Sequence, residues 1–403
     1  MRIGKSPNFR QMLLMPHRKG EYFKLKTIFI KVLLIVSLLG VTSCSSESVK
    51  SESELDIPEY HYKLGVRKLD DGRLQEALSA FQRSIDLDPK FAVGWGGLGL
   101  TQTYVEDVET GKKSVDKAVD LADKNSVVWV WRGRFWTVSK NEKKWLEKAE
   151  KDFKRSLEIS PGNEEAEYYL GEAYFQAYDF RGAESQFAKV VALKGELAKK
   201  ANEKWELSQK VVRASPGTLA GKKIAIQPKV SRADLAVLFT EEMKLVEVFE
   251  RINPTTAPAE FKTPEEMMNS DEEASSPPDI VGFWAEPWIL EVLELGVLEV
   301  DPEGKFNPRK TITRVEYAMA VQRILSKITG DGSLETKYFG EATSRFSDVP
   351  STHFAYNAMA LCVERGIMKT DMMTGKFDPV GVVSGADALL IIREIQNSLR
   401  LTF

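Results

Sequence analysis

Two arginines share an unusual place in this sequence. Arg314 follows a hydroxyl in Thr313-Arg314-Val315-Glu316, and Arg232 does so in Ser231-Arg232-Ala233-Asp234. A third copy, Ser384-Gly385-Ala386-Asp387, keeps the frame but has glycine at that place. A hydroxyl followed three residues later by an acid marks a helix N-terminus, where each side chain satisfies a backbone N–H of the other. Capping accounts for Thr313, Glu316 and their counterparts but not for the arginine. A guanidinium at the first helical position, beside free N–H groups at the positive end of the helix dipole, makes a local anion site suited to a carboxylate or an acidic sugar. Arg232, Arg314, Thr313 and Glu316 are therefore the candidate ligand residues, and Gly385 limits the number of such sites to two.

Other chemistry has little to work with. Two cysteines, Cys44 and Cys362, and three histidines, His17, His61 and His353, include no CxxC and no histidine pair at ligand spacing, so no metal site is expected. Cys362 and His353 could be paired as nucleophile and base. Cys362, however, sits in the apolar run Ala358-Met359-Ala360-Leu361-Cys362-Val363, which points to a buried thiol. Glu286 and Glu291 could mimic a glycosidase pair, yet they fall on an amphipathic helix whose polar face is expected to meet solvent. No enzyme activity and no cofactor are expected.

Among the 403 residues, 43% are hydrophobic and 29% charged, which suits two or three soluble domains. The net charge of −3 conceals an asymmetry: residues 1–43 hold eight basic and one acidic side chain, and the remainder carries 48 basic against 58 acidic. So acidic a body argues against nucleic acid as a partner. Residues 1–43 read as a signal peptide, with Lys24, Lys26 and Lys31 before the short apolar run Val32 to Ser43. Its end, Val41-Thr42-Ser43-Cys44, resembles the lipobox of bacterial lipoproteins. That resemblance implies lipidation of Cys44, a flexible tether over 44–56 and anchoring to a membrane. With Ser45 after the cysteine, it implies the periplasmic side of the outer membrane in cells that have one.

Internal repetition organises the rest. Gly65, Gly99, Gly133 and Gly171 lie 34, 34 and 38 residues apart. Small and aromatic residues follow at helical spacing, as Ala77, Phe81 and Ser84; Ala149, Phe153 and Ser156; and Ala183, Phe187 and Val190, while Pro89 and Pro161 close two units. Small residues let two helices approach, an aromatic fills the gap and proline stops the second helix. The stretch 57–195 resembles an array of about four tetratricopeptide repeats, with Gly111 and Val115 weakening the second and a longer third. That resemblance implies a concave groove for a protein or peptide partner, lined by Tyr62, Val66, Leu100, Val130, Arg134, Tyr168 and Phe175 from the first helix of each unit.

The remainder holds a second repeat. Leu295-Gly296-Val297-Leu298, Gly304-Lys305-Phe306-Asn307-Pro308 and Thr313-Arg314 are echoed by Arg365-Gly366-Ile367-Met368, Gly375-Lys376-Phe377-Asp378-Pro379 and Ser384-Gly385, with ten residues from Gly304 to Arg314 and from Gly375 to Gly385. These segments resemble S-layer homology units at 279–328 and 346–397, with a degenerate first unit at 196–252 that lacks the Gly-Lys-Phe element. A Pro-, Glu- and Ser-rich stretch, 253–278, reads as a linker. The resemblance implies an all-α fold, a helical solenoid followed by a three-unit helical module, and contact of Arg232 and Arg314 with peptidoglycan or a secondary cell-wall polymer. Trp284 is expected in the core. The expected protein is a non-catalytic envelope lipoprotein that tethers a membrane to the wall while its array binds a protein. The alternative is a protein-only scaffold whose module no longer binds glycan.

Overall fold

Glycines set against aromatic rings shape the first half. A Cβ on Gly65 would lie 2.7 Å from the Phe81 ring, and the same clash would arise between Gly133 and Phe153 and between Gly171 and Phe187. The bare backbone of one helix thus seats the ring of the next, as the spacing predicts. In the computed structural model, which describes residues 50–252 and 276–399, these contacts close helical hairpins α1 (Pro58–Asp70) with α2 (Leu74–Leu87), α5 (Ser126–Ser139) with α6 (Trp145–Ile159), and α7 (Glu164–Gln176) with α8 (Phe180–Leu193). Cys44, the expected signal peptide and nearly all of the expected linker lie outside the described residues.

The second hairpin, α3 (Ala92–Tyr104) with α4 (Val108–Leu121), shows what its deviant residues do. With Gly111 and Val115 in place of larger side chains, the backbones themselves meet: a Cβ on Gly99 would stand 2.6 Å from the Gly111 carbonyl oxygen. Asp107, Asn125, Asn163 and Asp179 cap four of the array's helices by accepting from first-turn N–H groups. Pro89 and Pro161 follow the ends of α2 and α6. The extra residues of the third unit form the α5–α6 connection, where Lys140 turns the chain with φ of 44°.

The first helices α1, α3, α5 and α7 pack on one another in succession, and each second helix packs on the first helix of the following hairpin. The result is a two-layer superhelix with the first helices on its inner side. Next comes α9 (Ala198–Ala214), which packs on α8 as a further array helix and also on α16 (Gly385–Ser398) at the far end of the chain. A single hydrophobic core runs from Phe175, Phe180 and Phe187 through Ala201, Val211 and Ala214 of α9 into the C-terminal half. The two halves therefore share a core.

Three helix pairs complete the fold. They are α10 (Leu219–Ala225) with α11 (Arg232–Val237), α13 (Glu286–Glu294) with α14 (Arg314–Thr329), and α15 (Tyr356–Glu364) with α16; α12 (Leu245–Ile252) follows the first pair. Packing runs around a ring: α11 lies on α13, α14 on α15 and α16 on α10. The helix standing where α13 and α15 stand is therefore α10; α9, expected to open the first unit at 196–252, belongs to the array. Backbone bonds close the same circle. Ile312 N–H donates to the Val230 carbonyl at 3.0 Å, Arg314 N–H to Gly381 at 2.8 Å, and Gly385 N–H to Gln227 at 2.9 Å. Only isolated bridges, Ser231 with Thr311 and Thr313 with Val382, interrupt an all-helical structure among the described residues. No helix among them is long and apolar enough to cross a membrane.

Candidate functional site

Each unit of the ring offers the start of its second helix to the loop of the next unit. Ser231 with Asp234 and Thr313 with Glu316 form full capping boxes, while Ser384 accepts from the Asp387 N–H. Two loops that receive these helix starts are held by aspartates. Asp279 accepts from the N–H groups of Phe306 and Asn307, and Asp348 from those of Phe377 and Asp378. Asn307 and Asp378 sit in the left-handed region, at φ of 57° and 58°, which short polar side chains tolerate.

The arginines enter these loops in matching fashion. Arg232 Nε donates to the Phe306 carbonyl at 2.7 Å and Nη2 to the Glu299 carbonyl at 2.6 Å, with the guanidinium 4.6 Å over the Phe306 ring. Arg314 Nε donates to the Phe377 carbonyl and Nη2 to the Lys369 carbonyl, both at 2.8 Å, with its guanidinium 4.7 Å over Phe377. Burial lowers the pKa of both from the ordinary value; arginine stays charged in proteins all the same.

This geometry corrects one expectation. The helix N-terminal N–H groups are not free: those of Arg232 and Ala233 donate to Lys310 and Pro308, and those of Arg314 and Val315 to Gly381 and Pro379. Thr313 is occupied by its cap, and Glu316 by that cap and by Lys310, 2.7 Å away. What each arginine can still offer an anion is its positive charge and the guanidinium N–H groups not committed to carbonyls.

Beside each arginine lies a groove. The first, about 180 Å³, runs between units one and two, with Arg232 on one side and Glu299, Lys310 and Arg323 on the other. Its counterpart between units two and three, about 420 Å³, contains Arg314, Lys369, Asp387 and Glu394, and extends to Arg213 of α9 and Arg393. The third inter-unit position is closed. A Cβ on Gly385 would lie 1.7 Å from the Ile224 carbonyl oxygen, because unit one passes from α10 to α11 in a short turn. The glycine of unit three and the missing Gly-Lys-Phe loop of unit one are thus two sides of one closed contact.

The inner side of the array holds a further cavity of about 250 Å³, lined by Arg134, Tyr168, Tyr104 and Tyr169 together with Lys200 and Lys204 of α9. Arg134 lies 4.6 Å from the Trp131 ring centre and 4.0 Å from that of Tyr169. Tyr62 accepts a bond from Trp131 Nε1 at 3.3 Å, and Val66 packs half-buried against the cluster around Phe81, Leu98 and Trp131. Leu100, Val130 and Phe175 do not line the groove as expected: they are 0%, 1% and 6% exposed. A first helix in such an array is covered on one side by its own partner and on another by the next hairpin, so most of its apolar positions face inward.

Cys362 is fully buried, its thiol 3.7 Å from the Ala318 carbonyl and its pKa pushed well up by burial. Trp284 is not in the core; it is 57% exposed, packed beside Phe283 and Trp288.

A profile of the S-layer homology domain matches residues 278–318 and 345–389. The C-terminal ring carries an S-layer homology domain. The two matched segments hold the Asp279 and Asp348 loops, all of α13 and α15 and the first turns of α14 and α16; unit one, with its shortened loop, lies outside them. Such a domain associates its chain with the cell envelope. An uncharacterized cell wall amidase of Bacillus anthracis is 32% identical over 117 residues, 29% of this chain and 20% of that protein, so the chain spans about a fifth of this curated relative. The solved structure of pilF from Pseudomonas aeruginosa overlaps 49% of this chain and 91% of its own, at 16% identity and a TM-score of 0.30. The tetratricopeptide-like character of the array stands on its own hairpin packing and its 34-residue period.

Proposed function

We propose that this chain is a non-catalytic tether of the cell envelope. The S-layer homology ring holds peptidoglycan or a wall-linked polymer in its two open grooves, Arg232 and Arg314 supply positive charge there, and the array recruits a protein on its inner side. Cys44 carries the lipid anchor that joins this assembly to a membrane, in a two-membrane cell the outer one. The observation that carries the reading is the repeated arginine geometry. Two arginines from successive units make the same pair of carbonyl bonds and the same ring contact beside an open groove, and the third position is sealed. The resemblance to a protein named for the cell wall supports the same direction.

A second reading, a protein-only scaffold, is favoured by the ion-paired walls of the first groove and by the sealed third position. Co-sedimentation with isolated sacculi separates the two. The chain from residue 45 onward is the right material, because a fragment beginning at 196 would strip α9 from α8 and open the shared core. Pelleting of the wild type, lost in Arg232→Ala/Arg314→Ala with an unchanged circular dichroism spectrum, supports the tether. A wild type that stays in the supernatant leaves the scaffold reading.

A further inference from the structure

We infer that the groove between units two and three is the acid-binding site of the ring, and that the last array helix, α9, supplies one of its cations, Arg213. The inference rests on the wall-polymer reading above and adds which groove takes the acidic group and which half of the molecule helps to hold it.

The two open grooves lie beside equivalent arginines and differ in how their charges are paired. In the first, the basic side chains beside Arg232 are spent: Lys310 pairs with Glu316 at 2.7 Å, and Arg323 pairs with Glu299. In the second, lysine replaces that glutamate, as Lys369, and Gly381 replaces Lys310. The pairing role of Lys310 passes to α9, whose Lys210 lies 3.2 Å from Asp387. Among the described residues, neither Lys369 nor Arg213 has a carboxylate within ion-pair distance.

Position is fixed as well as charge. Arg393 Nε donates to the Ala214 carbonyl at 2.8 Å and Nη2 to the Ser215 carbonyl at 2.5 Å, fastening the C-terminal end of α9 to the ring one residue beyond Arg213. The groove therefore gathers four basic residues, Arg213, Arg314, Lys369 and Arg393, against Asp387, already paired, and Glu394. A concave site with unneutralised cations and low-dielectric walls concentrates anions. Its volume of about 420 Å³ falls in the range of roughly 300–1,000 Å³ usual for ligand pockets; the first groove, at about 180 Å³, does not. The fitting ligand is a carboxylate-bearing saccharide segment, held by Arg213, Arg314 and Lys369, which line the groove together. Its capture joins the array to the ring.

The test uses the chain from residue 45 onward and two probes: native sacculi, and sacculi whose carboxyl groups have been reduced to alcohols with carbodiimide and borohydride. Arg213→Glu should weaken binding to native sacculi about tenfold. Lys199→Glu, an equal charge change elsewhere on α9, should leave it unchanged. On carboxyl-reduced sacculi the wild type and Arg213→Glu should bind alike. If Arg213→Glu binds native sacculi as the wild type does while Arg314→Ala does not, the inference falls and the wall reading stands. An Arg213 effect that persists on reduced sacculi also overturns it, since the recognised anion would not be a carboxylate. A wild type that binds neither probe removes both the inference and the reading beneath it.

Discussion

In the array, a hairpin packs mainly on the hairpins before and after it, with Trp131 of the third also reaching Tyr62 and Phe81 of the first, and glycines seat rings or backbones inside each one. In the ring, every unit touches both others, and the seams are backbone hydrogen bonds and arginines reaching across 55 to 74 residues of sequence. An open stack can lose one joint and keep the rest, because its stability is close to a sum over neighbours. A closed ring cannot, and its grooves exist only where units meet. Damage to the array should therefore stay local, and damage to a seam of the ring should reach the grooves.

The largest test lies in the array. Arg132 holds Asp152 through two bonds, at 2.8 and 2.9 Å, and Trp136 Nε1 donates to the same carboxylate at 3.1 Å. Asp152→Ala leaves the Trp136 indole N–H without its partner and the half-buried Arg132 guanidinium with Asp116 alone, 3.4 Å away, a loss of about 3 kcal/mol, the lower end for a broken buried pair, read by chemical denaturation. Sedimentation with sacculi should remain at the wild-type level. Next is the sealed seam. Gly385→Ala forces a Cβ onto the Ile224 carbonyl oxygen, where backbone must move. A cost of about 3 kcal/mol, the upper end of ordinary overpacking, is expected, and here sacculus binding should fall with stability. If binding survives Gly385→Ala, the ring is less coupled than its hydrogen bonds suggest.

Smaller effects sharpen the contrast. Gly99→Ala pushes α3 from α4 at the Gly111 carbonyl and should cost about 1–3 kcal/mol, with faster hydrogen exchange confined to 92–121. At the edge of the ring, Glu364 is held at a pKa of about 2 by Lys337, Tyr338 and Arg345, and Glu341 is held low chiefly by Arg345. Folded-state values below the unfolded ones mean stability that is present above about pH 4.5 and lost as pH falls toward 2. Glu364→Gln should flatten that acid limb in melting curves taken between those pH values and leave the neutral-pH difference small, since the two cations, Lys337 and Arg345, are well exposed.

How much of this was legible varies with the range of the interaction. The Gly65–Phe81, Gly133–Phe153 and Gly171–Phe187 contacts span less than a repeat, so spacing alone revealed the hairpins. The caps at Ser231, Thr313 and Ser384 are local too. The commitment of the Arg232 and Arg314 guanidiniums to carbonyls could not be read, because the acceptors belong to the following unit. Leu100, Val130 and Phe175 were misplaced because periodicity shows that a helix has an apolar face, not how many neighbours cover it. A signal was available at Gly385: the arginine missing from unit three and the loop missing from unit one are complementary losses. Arg213 gave none, since only the packing of α9 on α16 brings it to a groove.

Wall polymer is proposed to sit in the inter-unit grooves of the ring. Hydrogen–deuterium exchange on the chain from residue 45, with and without solubilised wall polymer, tests it directly. Exchange should slow where the groove walls lie, around Leu298–Asp301 and Met368–Asp371, and at the C-terminal end of α9, with the inner side of the array unchanged. Protection confined to α1, α3, α5 and α7, or none anywhere, would contradict it.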